Sequence, residues 1–186
     1  NLRIAGVMEF GGNGIAHYFT VQNTSTSTIE SGTLVTVSTS TTSEAIISEY
    51  ANATNILGVV ATSSTLRFNA QDMATSSLPI VTSGRTQVKV TTENGSINRG
   101  DMLTSAHTPG YAMLATKPGA GVIGMALASL EEGEGTISIL VELGTYFEPI
   151  AQKIKVASQG GDFKTITQAL ESINDNTAQN RYIIEV

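Results

Sequence analysis

The sequence predicts a mainly β protein: a compact β-barrel or sandwich, then a capping helix and two short strands. Three observations carry this reading. β-branched residues gather in short runs, several of which alternate with polar residues. Gly, Pro and Asn punctuate the runs at turn spacings. Only one segment, near the carboxyl end, has apolar residues at a helical period.

Taken in order, residues 1–14 read as an amino-terminal arm ending in the glycine-rich turn Gly11-Gly-Asn-Gly14. Starting at Asn1 and not Met, the chain is expected to have a processed or trimmed terminus. Residues 15–144 hold the predicted strands His17–Gln22, Leu34–Ser38, Ala45–Ser48, Ile56–Ala61, Pro79–Ser83, Gln87–Thr91, Ala112–Ala115, Val122–Leu130 and Thr136–Leu143. In Gln87-Val-Lys-Val-Thr91 both valines share one face, as expected of a strand with one buried side. The Ser/Thr tracts 24–43 and 62–66 read as solvated loops or edge strands. Residues 145–152 read as a link, and 153–186 as a second structural unit.

The turns have explicit chemistry. Asn94-Gly95 predicts a two-residue type I′ hairpin, whose central residues both take positive φ. Pro109-Gly110 and Pro118-Gly119 predict turns in which proline presets φ and glycine takes the left-handed position. Arg99-Gly100-Asp101 spells an integrin-binding tripeptide, but Gly100 and Asp101 are better explained as the turn into a strand at Met102. In the second unit Asp162 is the predicted N-cap. Phe163, Ile166, Ala169, Leu170 and Ile173 then form one apolar helix face.

Composition narrows the function classes. Charged residues make up 14% of the chain, and Ser and Thr number 43 of 186, so hydroxyls take the place of charges on the surface. The net charge of −6 and the scattered basic residues lack the footprint of a nucleic-acid binder. No apolar run is long enough to span a membrane as a helix. Cysteine is absent, which rules out disulfides and thiol chemistry.

Candidate chemistry is sparse. His17 and His107 are the only histidines, and Asp101, Ser105 and His107 crowd one loop, too close in sequence for a relay. Glu131, Glu132 and Glu134 form an acidic turn that lacks the alternating Asp and Asn of a calcium loop. The sequence therefore predicts no catalytic residues, no metal site and no cofactor.

Two stretches resemble known families. Gly84 to Thr91, Asn94-Gly95, Gly100-Asp-Met-Leu103, Pro109-Gly-Tyr-Ala112 and Val122-Ile-Gly-Met-Ala-Leu127, with Gly32-Thr-Leu-Val-Thr-Val37 and Ile56-Leu-Gly-Val-Val60, carry the first. Over roughly residues 30–144 they are similar to small β-barrel domains of large bacterial surface proteins and of phage tail or capsid-decoration proteins. The second is Gly160-Gly-Asp-Phe-Lys-Thr-Ile-Thr-Gln-Ala-Leu170, which resembles the helix that caps the first coil of a pectin-lyase-like right-handed parallel β-helix. The chain stops where that first coil should begin, so a longer body is expected.

These resemblances imply a non-enzymatic spacer in an extracellular, cell-surface or virion fibre. Self-association, as a homotrimer by analogy with tail fibres, or contact with neighbouring fibre subunits is expected. Two alternatives stand beside it. One is the non-catalytic front of a polysaccharide-degrading tailspike or secreted enzyme. The other is a carbohydrate-binding adhesin module with a surface glycan as partner.

Overall fold

The computed structural model describes residues 14–22, 28–39, 43–61, 66–68, 77–147, 152–174 and 182–186. The expected arm over residues 1–13, most of the tract 62–66 and the 148–151 part of the link lie outside them. The chain divides into two compact units, Asn1–Tyr146 and Phe147–Val186. The described residues are mainly β, with 52% strand. No helix among the described residues is long and apolar enough to cross a membrane.

The first unit contains β1 (Ile15–Gln22), β2 (Leu34–Val37), β3 (Ala45–Ile47), β4 (Ile56–Val60), β5 (Leu66–Phe68), β6 (Ser77–Thr91), β7 (Met102–Ser105), β8 (Ala112–Leu114), β9 (Gly121–Ala126) and β10 (Glu134–Thr145). Their order is β10-β9-β7-β8-β6-β4-β2-β3-β1-β5, with added pairings β10–β6 and β6–β1. Those two pairings close the sheet into two rings that share β6, so barrel closure and not a sandwich is the outcome. Each ring has one parallel pairing, β6 with β8 and β1 with β3, and is otherwise antiparallel. Closure leaves few unpaired edges, which stabilises a chain without disulfides.

The shared strand corrects the sequence reading. Pro79–Ser83 and Gln87–Thr91 are one strand, not two. Its first half pairs with β1 from Ser77 to Ser83, and its second half pairs with β10 from Ser83 to Thr91. The handover falls at Gly84, which has φ +93. A Cβ there would stand 2.8 Å from the Gly14 Cα, so both glycines are needed where the backbones cross. The break that the sequence predicts over Gly84-Arg-Thr86 is absent. The sequence reading also missed β5, a short strand beside β1.

Two buried clusters explain where alternation holds and where it fails. Val88 and Val90 belong to the larger cluster, with Ile97, Leu103, Ile123, Ile137 and Ile139, while Gln87 is exposed. Leu34, Val59 and Val81 belong to that cluster too, but their neighbours Val35, Val60 and Ile80 form the second cluster with Val21 and Ala45. Strands β2, β4 and the first half of β6 thus bury both faces. Their sequences are continuous apolar runs for that reason.

The Asn94-Gly95 expectation is also corrected. Among the described residues Asn52 alone of the non-glycines has positive φ, so Asn94 does not, and a type I′ pair is excluded. Instead the Gly95 N–H donates to the Thr92 carbonyl at 2.9 Å, and Gly95 alone takes φ +106. The Asn94 side-chain amide donates to the Leu114 carbonyl and to Thr116 Oγ1, each at 2.8 Å. Tertiary anchoring of the amide decides this turn. Asn94→Asp places a carboxylate against those two oxygens and should cost about 1–3 kcal/mol, measured by urea unfolding.

In the second unit, β11 (Gln152–Lys155) pairs in parallel with β12 (Tyr182–Glu185), with α1 (Ile166–Ser172) between them in sequence. The predicted cap is corrected here. Thr165 is the N-cap, its Oγ1 accepting from the Gln168 N–H at 3.2 Å. Asp162 is already committed: its carboxylate accepts from the Lys155 N–H at 2.9 Å, and its own N–H donates to the Lys155 carbonyl at 2.7 Å. Phe163 precedes the helix, in a parallel bridge with Val156. Only Ala169 of the helix is buried, and Ile166 and Leu170 remain 48% and 57% exposed. Lys153 and Glu185 form an exposed pair at 2.7 Å; their hydrogen bond raises the lysine pKa and lowers that of the glutamate.

Candidate functional site

Three segments distant in sequence build a groove of about 320 Å³ on the barrel. Its first wall is the chain entering β2. There the Thr33 N–H donates to the Glu30 carbonyl at 3.1 Å, the Glu30 N–H to Thr33 Oγ1 at 3.2 Å, and the Gly32 N–H to the Val60 carbonyl at 2.7 Å. The second wall is the Thr108–Tyr111 turn, closed by the Tyr111 N–H on the Thr108 carbonyl at 3.1 Å. Gly110 takes φ +77, donates to the Ser48 carbonyl at 2.8 Å and accepts from Leu34 at 2.8 Å. A Cβ at Gly110 would meet Thr33 Cγ2 at 2.9 Å, so glycine lets the two walls approach. The Glu93 carboxylate holds the same turn from outside, accepting from the N–H groups of His107 and Thr108 and from Thr108 Oγ1.

Lys89 of β6 forms the floor. Its ammonium pairs with the Glu30 carboxylate and lies 5.6 Å from the centre of the Tyr111 ring. The Lys89 side chain is only 17% exposed, whereas that of Glu30 is 60% exposed. Pro109 adds apolar surface, the fully buried Ile47 backs the lining, and the exposed Glu134 marks the rim.

Of the residues singled out by sequence, Pro109 and Glu134 line this groove, with Gly110 behind it. The others lie elsewhere. At the Arg-Gly-Asp sequence, Gly100 has φ +97 and its N–H donates to the Ala126 carbonyl at 2.8 Å. Asp101 accepts from the Asn98 N–H at 2.7 Å, and the Arg99 N–H donates to Ser129 Oγ at 3.1 Å. The tripeptide is a turn tied into the barrel. Ser105 is fully buried; its hydroxyl donates to the Tyr50 carbonyl at 2.7 Å and accepts from the Ala53 N–H at 2.8 Å. It clamps the 50–53 loop and forms no relay with the exposed His107. His17 is on β1, its ring tilted against Phe19 at 6.3 Å. Among the described residues no three His, Cys, Asp or Glu side chains converge as metal ligands would.

Glu30, Lys89 and Tyr111 were invisible to sequence reasoning as a set. Each belongs to a different segment, and no short motif links them.

The fold and groove define a closed β-barrel module with a polar surface groove. No protein-family model matches the chain, and no curated protein sequence matches it. Among solved structures, the N base of the head fiber protein gp8.5 of bacteriophage phi29 is similar over 67% of this chain and 92% of that one. The identity is 17% and the TM-score 0.43. A likeness at this level assigns neither activity nor partner.

Proposed function

We propose that this chain is a non-enzymatic structural module of an extracellular fibre, at a cell surface or on a virion. The observation that carries this reading is the parallel pairing of β11 with β12, in register from Gln152–Tyr182 to Lys155–Glu185, with α1 between them in sequence. In a parallel β-helix each coil lies in parallel on the one before, and the open end needs a cover. A short strand, a helix with exposed Ile166 and Leu170, and a second parallel strand have the order of such a cap and first coil. The barrel then acts as a spacer or shoulder ahead of a shaft. Self-association belongs to the same reading: the exposed Ile166, Leu170 and Ile183 suit burial against a neighbouring surface, and a homotrimer is the form that analogy with tail fibres implies.

Immunogold electron microscopy tests it. Antibodies against the chain should decorate surface or virion appendages of the source. Label confined to the cell interior overturns the reading.

A further inference from the structure

We propose that the groove floored by Lys89 binds a neutral saccharide. The groove is pre-organised. Backbone hydrogen bonds hold both walls, and Lys89 is held through its own N–H on the Gly32 carbonyl at 2.9 Å, its pairing with Glu30 and its position over Tyr111. A site formed in advance loses little freedom on binding. Its volume of about 320 Å³ falls at the lower end of ligand pockets, which run from about 300 to 1,000 Å³.

The groups around it select the class. Glu30 and Glu134 offer two carboxylates against the single ammonium of Lys89, so an anion meets net repulsion. A cationic ligand finds its natural place, beside Glu30 and over the Tyr111 ring, already taken by Lys89. What remains is a mixed set: N–H groups of Lys89 that donate only, carboxylates that accept only, and the Tyr111 hydroxyl that does both. An alcohol matches all three, because it donates and accepts from one oxygen. Pro109, half-buried on the groove wall, supplies a small apolar surface on which the C–H face of a sugar ring rests.

The full 186-residue chain is applied to an array of neutral hexose and N-acetylhexosamine oligomers beside uronate- and sialate-bearing ones. Neutral oligomers are expected to bind and acidic ones to be passed over. Glu134→Gln, on the exposed rim where folding is not at risk, and Lys89→Met should each weaken the titrated binding about tenfold or more. Leu140→Ser on the partly exposed surface of β10 should leave it unchanged. The proposal is overturned if no neutral glycan binds, if acidic glycans are preferred, or if both groove variants bind within about twofold of the parent. The result is independent of the immunogold test, since a spacer binds or fails to bind sugars wherever it is located.

Discussion

Gly124→Ala is expected to leave little folded protein. Gly124 lies in β9, paired with Val141 of β10 and Leu103 of β7, at φ +152. A Cβ there would stand 2.0 Å from the Leu140 carbonyl oxygen and 2.9 Å from its carbon. Both obstacles are backbone in the middle of a closed ring, so neither side can retreat without breaking ladder bonds. The register slips between Val141 and Gly144, which marks the local bulge that the glycine allows. A cost above about 4 kcal/mol is expected, a large share of the roughly 5–15 kcal/mol that holds a domain together. Gly133→Ala is the control. Gly133 also has positive φ, at +85, but nothing lies within 4 Å of its added Cβ. Its cost should stay near the roughly 1–2 kcal/mol of left-handed strain alone. Thermal unfolding followed by circular dichroism separates the two variants. Equal melting temperatures would show that the close approach at Gly124 does not matter.

The second large effect is in β6. Ile80→Ala and Val81→Ala, at consecutive positions, should both be strongly destabilising. An ordinary half-buried strand tolerates every other substitution. Here Ile80 packs in the smaller cluster with Val35 and Val60, Val81 packs in the larger one with Leu34 and Val59, and both are fully buried. Ile80→Ala should cost about 2–5 kcal/mol from lost burial and the cavity left behind, and Val81→Ala somewhat less in proportion to its size. Further along the same strand the rule changes: Val88→Ala should be costly, and Gln87→Ala should fall within about 0.5 kcal/mol of the parent. Urea unfolding midpoints of the four variants check this. A neutral Ile80→Ala would mean that the second cluster contributes no stability.

The same strand shows what could be read in advance. Val88 and Val90 were legible as core because one face of their segment meets water, and the period-2 pattern records that contrast. At Leu34-Val35, Val59-Val60 and Ile80-Val81 the pattern vanishes, since apolar residues line both faces. Periodicity identifies such runs as buried but cannot say against what. The Pro-Gly turns were legible for a local reason: proline presets φ and Gly110 and Gly119 adopt +77 and +83. Asn94-Gly95 misled because its conformation is settled by the Leu114 carbonyl and Thr116, twenty residues away or more. Asp162 misled similarly, its carboxylate being taken by Lys155 before the helix begins.

By itself the sequence determined the β class, most strand positions, the helix near the carboxyl end and the proline-glycine turns. Each of these rests on φ preferences or side-chain alternation within a few residues. The tertiary structure alone decided that β6 is continuous through Gly84, that two rings close upon it, and that Glu30, Lys89 and Tyr111 meet in one groove. Those outcomes depend on pairings between segments dozens of residues apart. Pairing energy is shared between two strands, and neither strand's sequence carries it alone.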